Sequence, residues 1–250
     1  MKVVSIYNIK GGVGKTASAV NFAYLASKSG FKTLVWDLDP QGATSFYFQK
    51  ETSTNLHLKK IIKLKTSIED SIEKTNYLNL FLIPSSFTFR KIDTLLDDVK
   101  KSKKQLNEIL KNFKKDYDII LLDCPPGLTL LSENIFHASD YLITPLIPTP
   151  LSVRSYDQII SYFIDHEIDF SIIIPFLSMV EIRRKLHKEM VADILKTMPN
   201  ICLNTIPYLS EVEKMGLFFK PVVEFSPSSK ASVAFQLLWD EIKSKIFDKI

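Results

Sequence analysis

The sequence predicts a doubly wound α/β fold, with a mostly parallel sheet flanked by helices. Short apolar or β-branched runs alternate along the whole chain with amphipathic segments that carry lysines. Several of these runs are continuously apolar, such as the IILL stretch at 119–122. Such runs are typical of strands buried on both faces of a parallel sheet. A glycine-rich turn also joins the first apolar run to the first helical segment, as at the start of a βαβ unit.

The elements follow in order from this alternation. The apolar runs predict strands at 3–8, 33–37, 78–84, 118–123, 141–145, 171–176 and 201–206. The amphipathic segments predict helices at 16–29, 87–115 (in two pieces), 132–138, 153–165, 182–197 and 229–249. Gly30 is placed to end the first helix as a C-cap. The segment 50–76 is polar and weakly periodic, which predicts an inserted or disordered part.

Length and composition limit the class of protein. The 250 residues contain no linker, repeat or low-complexity tract, so we expect a single domain over 1–250. The two cysteines, Cys124 and Cys202, lack metal-ligand spacing and are predicted to be buried fillers in a reducing cytoplasm. The chain begins without a signal-like segment and has no run of eighteen apolar residues. Its net charge of +4 permits a nucleic-acid or anionic-membrane partner without arguing for one.

A phosphate-binding loop is predicted between the first strand and the first helix. Residues 11–16 read GGVGKT, a compact form of the pattern G-x-x-x-x-G-K-S/T whose first glycine is missing. Glycines let backbone N–H groups converge on phosphate oxygens, and the helix points its positive dipole end at them. Lys15 would reach the β- and γ-phosphates, and the Thr16 hydroxyl would bind Mg²⁺. The alternative is a glycine-rich turn with an incidental lysine. The predicted binding residues are Gly11, Gly12, Val13, Gly14, Lys15, Thr16 and Ala17.

Three aspartates are predicted to complete a metal and phosphate site. Asp37 and Asp39 close the second strand, and the alternation of side chains places both carboxylates on one side. Asp123 ends the most hydrophobic strand, where a charge is expected to face the ligand crevice. Carboxylates there could hold Mg²⁺ and orient an attacking water. Each aspartate alone could equally be a solvated loop residue, but beside the phosphate loop they form a site.

Lys10 extends the loop to KGGVGKT, which resembles the deviant Walker A motif of the ParA/MinD ATPases, K-G-G-x-G-K-S/T. The DLDPQ run at 37–41 resembles the second signature of that family, and LLDCPP at 121–126 resembles its Walker B motif. The D-C-P-P form is more similar to plasmid and chromosome partition proteins than to the division-site branch. This resemblance implies roles for four residues: Lys10 reaching a partner's nucleotide across a dimer, Asp37 and Asp123 in the metal shell, and Asp39 in water activation.

The resemblance covers nearly the whole chain, through the segments 140–145, 183–187, 205–211 and 220–222. It implies a deviant Walker-type P-loop NTPase that binds ATP/ADP with Mg²⁺ and places Pro207 near the adenine. It also implies slow ATP hydrolysis in an ATP-bound homodimer, stimulated by a ParB-like partner. The expected role is plasmid or chromosome partition, or cargo positioning, in the cytoplasm and at the nucleoid.

Non-specific DNA binding, usual for partition ATPases, does not carry over residue by residue. The arginine-bearing insert after Pro207 is missing, since only Tyr208 precedes Leu209, and AFQL at 234–237 lacks the second arginine. Replacement lysines could serve because phosphate contacts need charge rather than a fixed geometry. A solvated helix face is the equal alternative. The candidate cations are Arg183, Arg184, Lys185, Lys188, Lys243, Lys245 and Lys249, whereas Lys100, Lys101, Lys103 and Lys104 are expected to be ordinary surface.

Three functions other than partition are alternatives. A MinD-like membrane-associated division-site regulator would need the apolar stripe at 238–250 as its membrane-binding helix. Asp240, Glu241 and Asp248 make that stripe a poor fit for an anionic bilayer. A nitrogenase-type reductase would need a pair of cluster cysteines that the chain lacks. A small-molecule kinase or amidoligase would need an acceptor site that the sequence does not offer.

Overall fold

One sheet of seven strands runs through the described part of the chain. The structure is a computed structural model that describes residues 1–51, 57–99 and 102–248. Its strands are β1 (Lys2–Ile6), β2 (Thr33–Asp37), β3 (Glu73–Lys74), β4 (Leu80–Ile83), β5 (Ile119–Asp123), β6 (Tyr141–Leu146) and β7 (Ile173–Leu177). They lie in the order β3-β4-β2-β5-β1-β6-β7, and the described pairs are parallel except β3 with β4. The prediction of a doubly wound, mostly parallel sheet is confirmed.

Helices connect the strands and cover both faces of the sheet. The longer ones are α1 (Lys15–Lys28), α6 (Leu130–Ala138), α7 (Pro150–Asp165), α8 (Lys185–Thr197) and α12 (Lys230–Phe247). The shorter ones are α2 (Ala43–Tyr47), α3 (Leu58–Ile62), α4 (Ile92–Asp97), α5 (Gln105–Leu110), α9 (Ser210–Glu213), α10 (Met215–Phe218) and α11 (Val222–Phe225). None of the helices in the described ranges has the length and apolarity needed to span a bilayer.

β5 shows why the sheet is buried on both faces. All five of its residues are buried, and successive side chains point to opposite faces. Ile120 and Leu122 join the apolar core formed with α5, α6 and α7, while Ile119 and Leu121 join the core formed with α1 and α12. A continuous apolar run is what such a central parallel strand requires.

The strand register brings the predicted site residues to one edge of the sheet. Asp123 at the end of β5 pairs with Ile6 of β1 on one side and with Asp37 of β2 on the other. The chain leaves β1 for β2 on one side of the sheet, whereas β6 lies on the other side of β1. Ligands in open α/β sheets bind at the carboxyl ends of strands near such a reversal. The fold therefore makes a crevice directly after β1.

The predicted strand at 201–206 is wrong. This segment runs beside β7, with the N–H groups of Cys202 and Ile206 donating to carbonyls of that strand. Between those two bonds, the Glu241 carboxylate of α12 accepts the N–H groups of Leu203 and Asn204 at 2.7 and 2.9 Å. Because a side chain has taken these two donors, no continuous ladder forms. An isolated bridge between Val180 and Pro207 follows instead.

The segment 50–76 also differs from its prediction in the part that the structure describes. Leu58, Ile61 and Ile62 of α3 are buried, and β3 adds an antiparallel strand at the edge of the sheet. A five-residue helix and a two-residue strand are too short to give a clear periodicity. The helices α2, α9, α10 and α11 were missed for the same reason. The predicted end of the last helix at residue 249 lies outside the described residues.

Candidate functional site

The loop after β1 is anchored to the neighbouring strands before it reaches its glycines. Asn8 is fully buried, and its side-chain amide donates to the Pro145 carbonyl at the end of β6 at 2.8 Å. Its Oδ1 atom accepts the N–H of Lys10 at 2.8 Å. The Tyr7 hydroxyl donates to the Gly127 carbonyl after β5 at 2.8 Å. The loop is thereby fixed between the ends of β5 and β6.

Gly14 sits where the loop turns into α1 and cannot easily be replaced. Its φ is +91°, in the left-handed region that favours glycine. A Cβ atom there would lie 2.9 Å from the Ser178 hydroxyl and 3.7 Å from the Met179 methyl. No side chain caps the N-terminus of α1. The first N–H groups of the helix are therefore available to an anion such as phosphate.

The Lys15 side chain is buried within this loop. Its side chain is only 7% exposed, and its Nζ donates to the Lys10 carbonyl at 3.1 Å. Burial lowers the pKa of Lys15, while the negative charge of Asp123 opposes that shift. The Lys10 side chain is half-buried and joins no ion pair among the residues that the structure describes. Neither lysine joins an ion pair among the described residues, so neither cation is neutralised by a carboxylate there.

Asp37 and Asp123 lie side by side and are fully buried. The Oδ2 atom of Asp123 accepts the Thr44 hydroxyl at 2.8 Å, whereas its Oδ1 atom has no hydrogen-bond partner. The Oδ2 atom of Asp37 accepts the N–H and the hydroxyl of Ser45 at 2.8 and 2.7 Å. Its Oδ1 atom accepts the N–H of Asp39 at 3.3 Å.

Burial raises the pKa of both carboxyl groups. For Asp37 the next largest cause is the negative charge of Asp123, which raises the pKa further. For Asp123 the hydrogen bond from Thr44 lowers the pKa against the effect of burial, and the Thr16 hydroxyl is close enough to lower it as well. A pair of adjacent buried carboxylates with an unpartnered oxygen favours a nearby cation.

This donor set fits magnesium held jointly with a bound phosphate. No group of three or more His, Cys, Asp or Glu side chains within residues 1–51, 57–99 and 102–248 could hold a metal by itself. Magnesium is commonly bound through one or two carboxylates, water and substrate phosphates rather than by a complete protein cage. The free Oδ1 atom of Asp123 and the Thr16 hydroxyl supply the oxygen chemistry that such a site needs.

Asp39 is held at the mouth of the site. Asp39 is half-buried, and its carboxylate accepts the N–H of Gln41 at 2.9 Å. Its carbonyl accepts the N–H of Gly42 at 2.9 Å, which closes a turn. Its charge contributes to the raised pKa of both Asp37 and Asp123. This position beside the buried pair, with access to solvent, suits a group that orders water.

Pro207 lies beside Val180, which follows β7. The N–H of Val180 donates to the Ile206 carbonyl at 3.0 Å, and the N–H of Tyr208 donates to the Val180 carbonyl at 3.1 Å. These bonds tie the loop around Pro207 to the end of β7, next to Met179, which contacts the Gly14 position. Pro207 and Val180 also line an open groove of about 500 Å³.

The structure brings together most of the predicted site, and it adds residues that sequence reasoning missed. The phosphate loop and the three aspartates meet at one edge of the sheet, whereas Pro207 reaches them only through β7. Thr44 and Ser45 were missed because the short helix α2 was itself not predicted. Ser178 was missed because it follows β7 rather than a recognised motif. The position of Thr44 and Ser45 directly after DLDPQGA was the available signal.

Several candidate DNA-binding cations already form ion pairs or hydrogen bonds within the protein. Arg184 pairs with Glu181, Lys185 with Glu189, and Lys243 with Asp240, while Lys245 bonds Asn200. The exposed cations Arg183 and Lys188 join no ion pair among the described residues. Lys103 pairs with Glu133, and Lys104 lines a groove beside Lys63. Lys100, Lys101 and Lys249 lie outside the described residues.

Four lysines outside this set form a second cationic surface. Residues 57–65 contain Lys59, Lys60, Lys63 and Lys65 and no acidic residue. All four are exposed, and none joins an ion pair within the part of the chain that the structure describes. Because the apolar side of α3 is buried, its lysines face the solvent. These four residues are called the lysine surface below.

The C-terminal stripe and the cysteines are structural. Leu238, Ile242 and Ile246 of α12 are buried in the core, so this stripe does not present an apolar face to a membrane. Cys124 and Cys202 are free and buried, as predicted. Burial raises the pKa of both thiols.

Comparison with known proteins agrees with this geometry. A family model described as an AAA domain matches residues 1–174. An uncharacterized protein of Methanocaldococcus jannaschii is 33% identical over 95% of this chain and 96% of its own length. A virulence plasmid ParA family protein of Chlamydia psittaci is 30% identical over 99% of this chain and 96% of its own. A Borrelia burgdorferi protein assigned to plasmid partition, crystallised with AMPPNP, has a TM-score of 0.83 at 26% identity and covers 98% of this chain and 99% of its own.

Proposed function

The chain belongs to the ParA/MinD family of P-loop ATPases, and we propose from that premise that it drives plasmid or chromosome partition, or positions another cargo, in the cytoplasm and at the nucleoid. It is an ATP hydrolase of the partition or positioning type. The finer elements of the proposal are an ATP-dependent homodimer, non-specific DNA binding and stimulation by a ParB-like partner. The homodimer and the DNA contact rest on different residues and have separate tests, whereas the partner is proposed from the family alone.

One observation supports the ATPase site above all others. The ends of β1, β2 and β5 are in register. The buried pair Asp37 and Asp123 therefore lies at the strand ends from which the loop with Lys15 begins. A cation, an open helix N-terminus and two carboxylates beside one another match the needs of a metal-bound triphosphate.

We propose the following roles for the protein groups. The N–H groups of the loop and of the first turn of α1 hold phosphate oxygens, and Lys15 moves from the Lys10 carbonyl to the β- and γ-phosphates. Asp123 and Asp37, with Thr16, hold the metal shell, and Asp39 orders the attacking water. Magnesium bound there supplies positive charge that stabilises the charge developing on the transferred phosphoryl group. Pro207, on the loop tied to β7, packs near the adenine.

Calorimetry with ATP and Mg²⁺ tests this site. The wild-type protein is expected to bind ATP with Mg²⁺ and to hydrolyse it slowly, because a switch must hold its state. Lys15→Ala should abolish turnover. A well-folded wild-type protein without affinity for ATP in the presence of Mg²⁺ would contradict the proposed function.

The homodimer rests on Lys10. Its side chain is half-buried, while its carbonyl accepts a hydrogen bond from the Lys15 amino group. We propose that the Lys10 amino group reaches the nucleotide of a second copy when ATP is bound. Sedimentation with ATP and with ADP tests this idea, because only ATP should produce a dimer. Lys10→Ala should remain a monomer with ATP, and normal dimerisation and turnover by this variant would exclude the role.

DNA binding rests on the lysine surface rather than on the arginine positions used elsewhere in the family. Its four cations are exposed and unpaired among the described residues, whereas most of the candidates on α8 and α12 are engaged with acids or amides. Phosphate contacts depend on accessible positive charge, so the lysine surface is the better candidate. It would bind any duplex sequence, because phosphates carry no base information.

A DNA titration over a series of salt concentrations tests this element. A labelled duplex of arbitrary sequence should bind in the presence of ATP and be released with ADP. The logarithm of the binding constant should fall linearly with the logarithm of the salt concentration, with a slope of about −0.9 per phosphate contacted. Binding that is equal with ATP and ADP, or that does not depend on salt, would exclude a nucleotide-controlled DNA contact.

A further inference from the structure

Two consecutive hydroxyl groups hold the two buried carboxylates. Thr44 donates to the Oδ2 atom of Asp123 at 2.8 Å, and Ser45 donates to the Oδ2 atom of Asp37 at 2.7 Å. The partners of Thr44 and Ser45 lie on different strands, but Asp37 and Asp123 are paired across the sheet. Consecutive helical residues point about 100° apart. One short helix, α2, can therefore contact both carboxylates at once.

The second oxygen of each carboxylate is the informative detail. The Oδ1 atom of Asp123 is buried and has no hydrogen-bond partner. The Oδ1 atom of Asp37 accepts only a long bond of 3.3 Å from the N–H of Asp39. A carboxylate whose rear oxygen is bound cannot rotate freely, so its other oxygen stays directed at the site. This is how groups behind metal-binding carboxylates fix their orientation.

α2 is itself braced. Ser45 accepts the N–H of Ser85, just after β4, at 2.8 Å, and the Ser85 hydroxyl donates to the Asp39 carbonyl at 2.5 Å. Thr44, Ser45 and Ser85 are all fully buried. Gly42 precedes the helix with a φ of +68°, a left-handed conformation that glycine adopts readily. Neither hydroxyl can therefore leave its carboxylate without displacing buried structure.

We propose that Thr44 and Ser45 are positioning residues that orient Asp123 and Asp37 toward the magnesium of the bound nucleotide. This inference rests on the proposed function, since it concerns the same nucleotide site. Thr44 and Ser45 act through the carboxylates and need not touch the metal or the nucleotide. A purely structural role would instead affect nucleotide binding equally with and without metal.

The test measures ADP binding by calorimetry in EDTA and over a series of Mg²⁺ concentrations. Thr44→Val and Ser45→Ala each remove one hydroxyl. Both variants should bind ADP in EDTA within about twofold of wild type. Their Mg²⁺ midpoints should rise about 10- to 100-fold, the usual cost of removing a group that orients a metal-binding residue. Thr44→Ser, which keeps the hydroxyl, should restore the wild-type midpoint.

A matched control is available at the other end of β2. Thr33 is equally buried, and its hydroxyl donates to the Phe31 carbonyl at 3.0 Å, away from the site. Thr33→Val should leave the Mg²⁺ midpoint unchanged. Thr44→Ala replaces Thr44→Val if the valine variant does not fold, as judged by circular dichroism.

The outcomes separate this inference from the function on which it rests. If wild-type protein binds ADP with a Mg²⁺ dependence that both variants retain within twofold, the positioning role is wrong and the ATPase site stands. A variant that loses affinity equally in EDTA and in Mg²⁺ also overturns the positioning role. If folded wild-type protein binds neither ADP nor ATP with Mg²⁺, both the inference and the proposed function fail.

Discussion

The phosphate-loop edge of the sheet and the lysine surface on α3 hold their charges in opposite ways. Lys15 is 7% exposed and bound to a carbonyl of its own loop, and Asp37 and Asp123 are fully buried. The lysines of the second region are exposed and join no ion pair among the described residues. In the first region the environment of each charge is specified by individual atoms. On the lysine surface no individual contact among the described residues fixes a charge, so only the number of charges matters.

The difference teaches how each region should respond to mutation. A buried charge has lost its water, so removing one partner leaves another group unsatisfied at a cost of a few kcal/mol. An exposed charge keeps its water, and its effect on a polyanion is additive and screened by salt. Single substitutions should therefore be decisive at the loop and weak on the lysine surface.

After the loss of turnover expected for Lys15→Ala, the largest effect is expected at Asp39. Asp39→Ala should reduce ATP turnover by about 10²–10³-fold, the usual cost of losing one polar group that acts in the transition state. ATP binding should persist, because Asp39 does not belong to the buried pair. Turnover is measured by phosphate release and binding by calorimetry. Asp70→Ala is the control, since Asp70 is exposed and far along the chain in a 3₁₀ turn. Unchanged turnover in Asp39→Ala would remove it from catalysis.

The next effect is on stability. Gly14→Ala should lower the free energy of unfolding by about 1–3 kcal/mol, because its φ of +91° strains an alanine and its Cβ would meet the Ser178 hydroxyl. Gly11→Ala is the matched control, since Gly11 has no positive φ and no atom within 4 Å of its Cβ position. Urea unfolding of both variants gives the comparison. Equal stabilities would show that the loop tolerates a side chain at Gly14.

A smaller effect is expected when the whole lysine surface is neutralised. Replacing Lys59, Lys60, Lys63 and Lys65 by Gln should reduce the salt slope of DNA binding by about 3 to 4, if each lysine contacts one phosphate. ATP turnover without DNA should not change. The control is the double variant Lys243→Gln with Lys245→Gln, whose lysines are engaged on α12. If the control lowers the slope and the quadruple variant does not, DNA binds at α12 instead.

The smallest effect is expected from one lysine alone. Lys60→Gln should reduce the salt slope by about 1 and leave the free energy of unfolding within about 0.5 kcal/mol of wild type. A salt titration and a urea unfolding curve measure these quantities. A loss of all DNA binding from this one change would mean that Lys60 has a specific contact, and the contrast between the two regions would then disappear.

The features predicted from the sequence were those encoded locally. β5 is a continuous apolar run, and the phosphate loop is contiguous in the chain, so neither depends on distant partners to be recognised. Asp37 and Asp123 were identified because each ends such a run. The order of strands in a parallel sheet then brought them together without further information.

The features that were missed depend on partners far along the chain. Thr44 is 79 residues from Asp123, and only its place directly after DLDPQGA distinguishes it from an ordinary threonine in a turn. The segment 201–206 is a short, mostly apolar run of the kind that predicts a strand, but Glu241 of α12 accepts two of its N–H groups. Lysines in 57–65 were read as part of a polar segment, because the apolar side of α3 contains only a few residues.

The register of β1, β5 and β2 has a consequence for how this site can change in evolution. Since Ile6, Asp123 and Asp37 are paired across three strands, one residue inserted into or deleted from β5 would turn Asp123 toward the opposite face of the sheet. Length variation is therefore expected in the connecting segments and not within these strands. A lineage could exchange its cargo by remodelling helices and loops around an ATPase centre whose spacing stays constant.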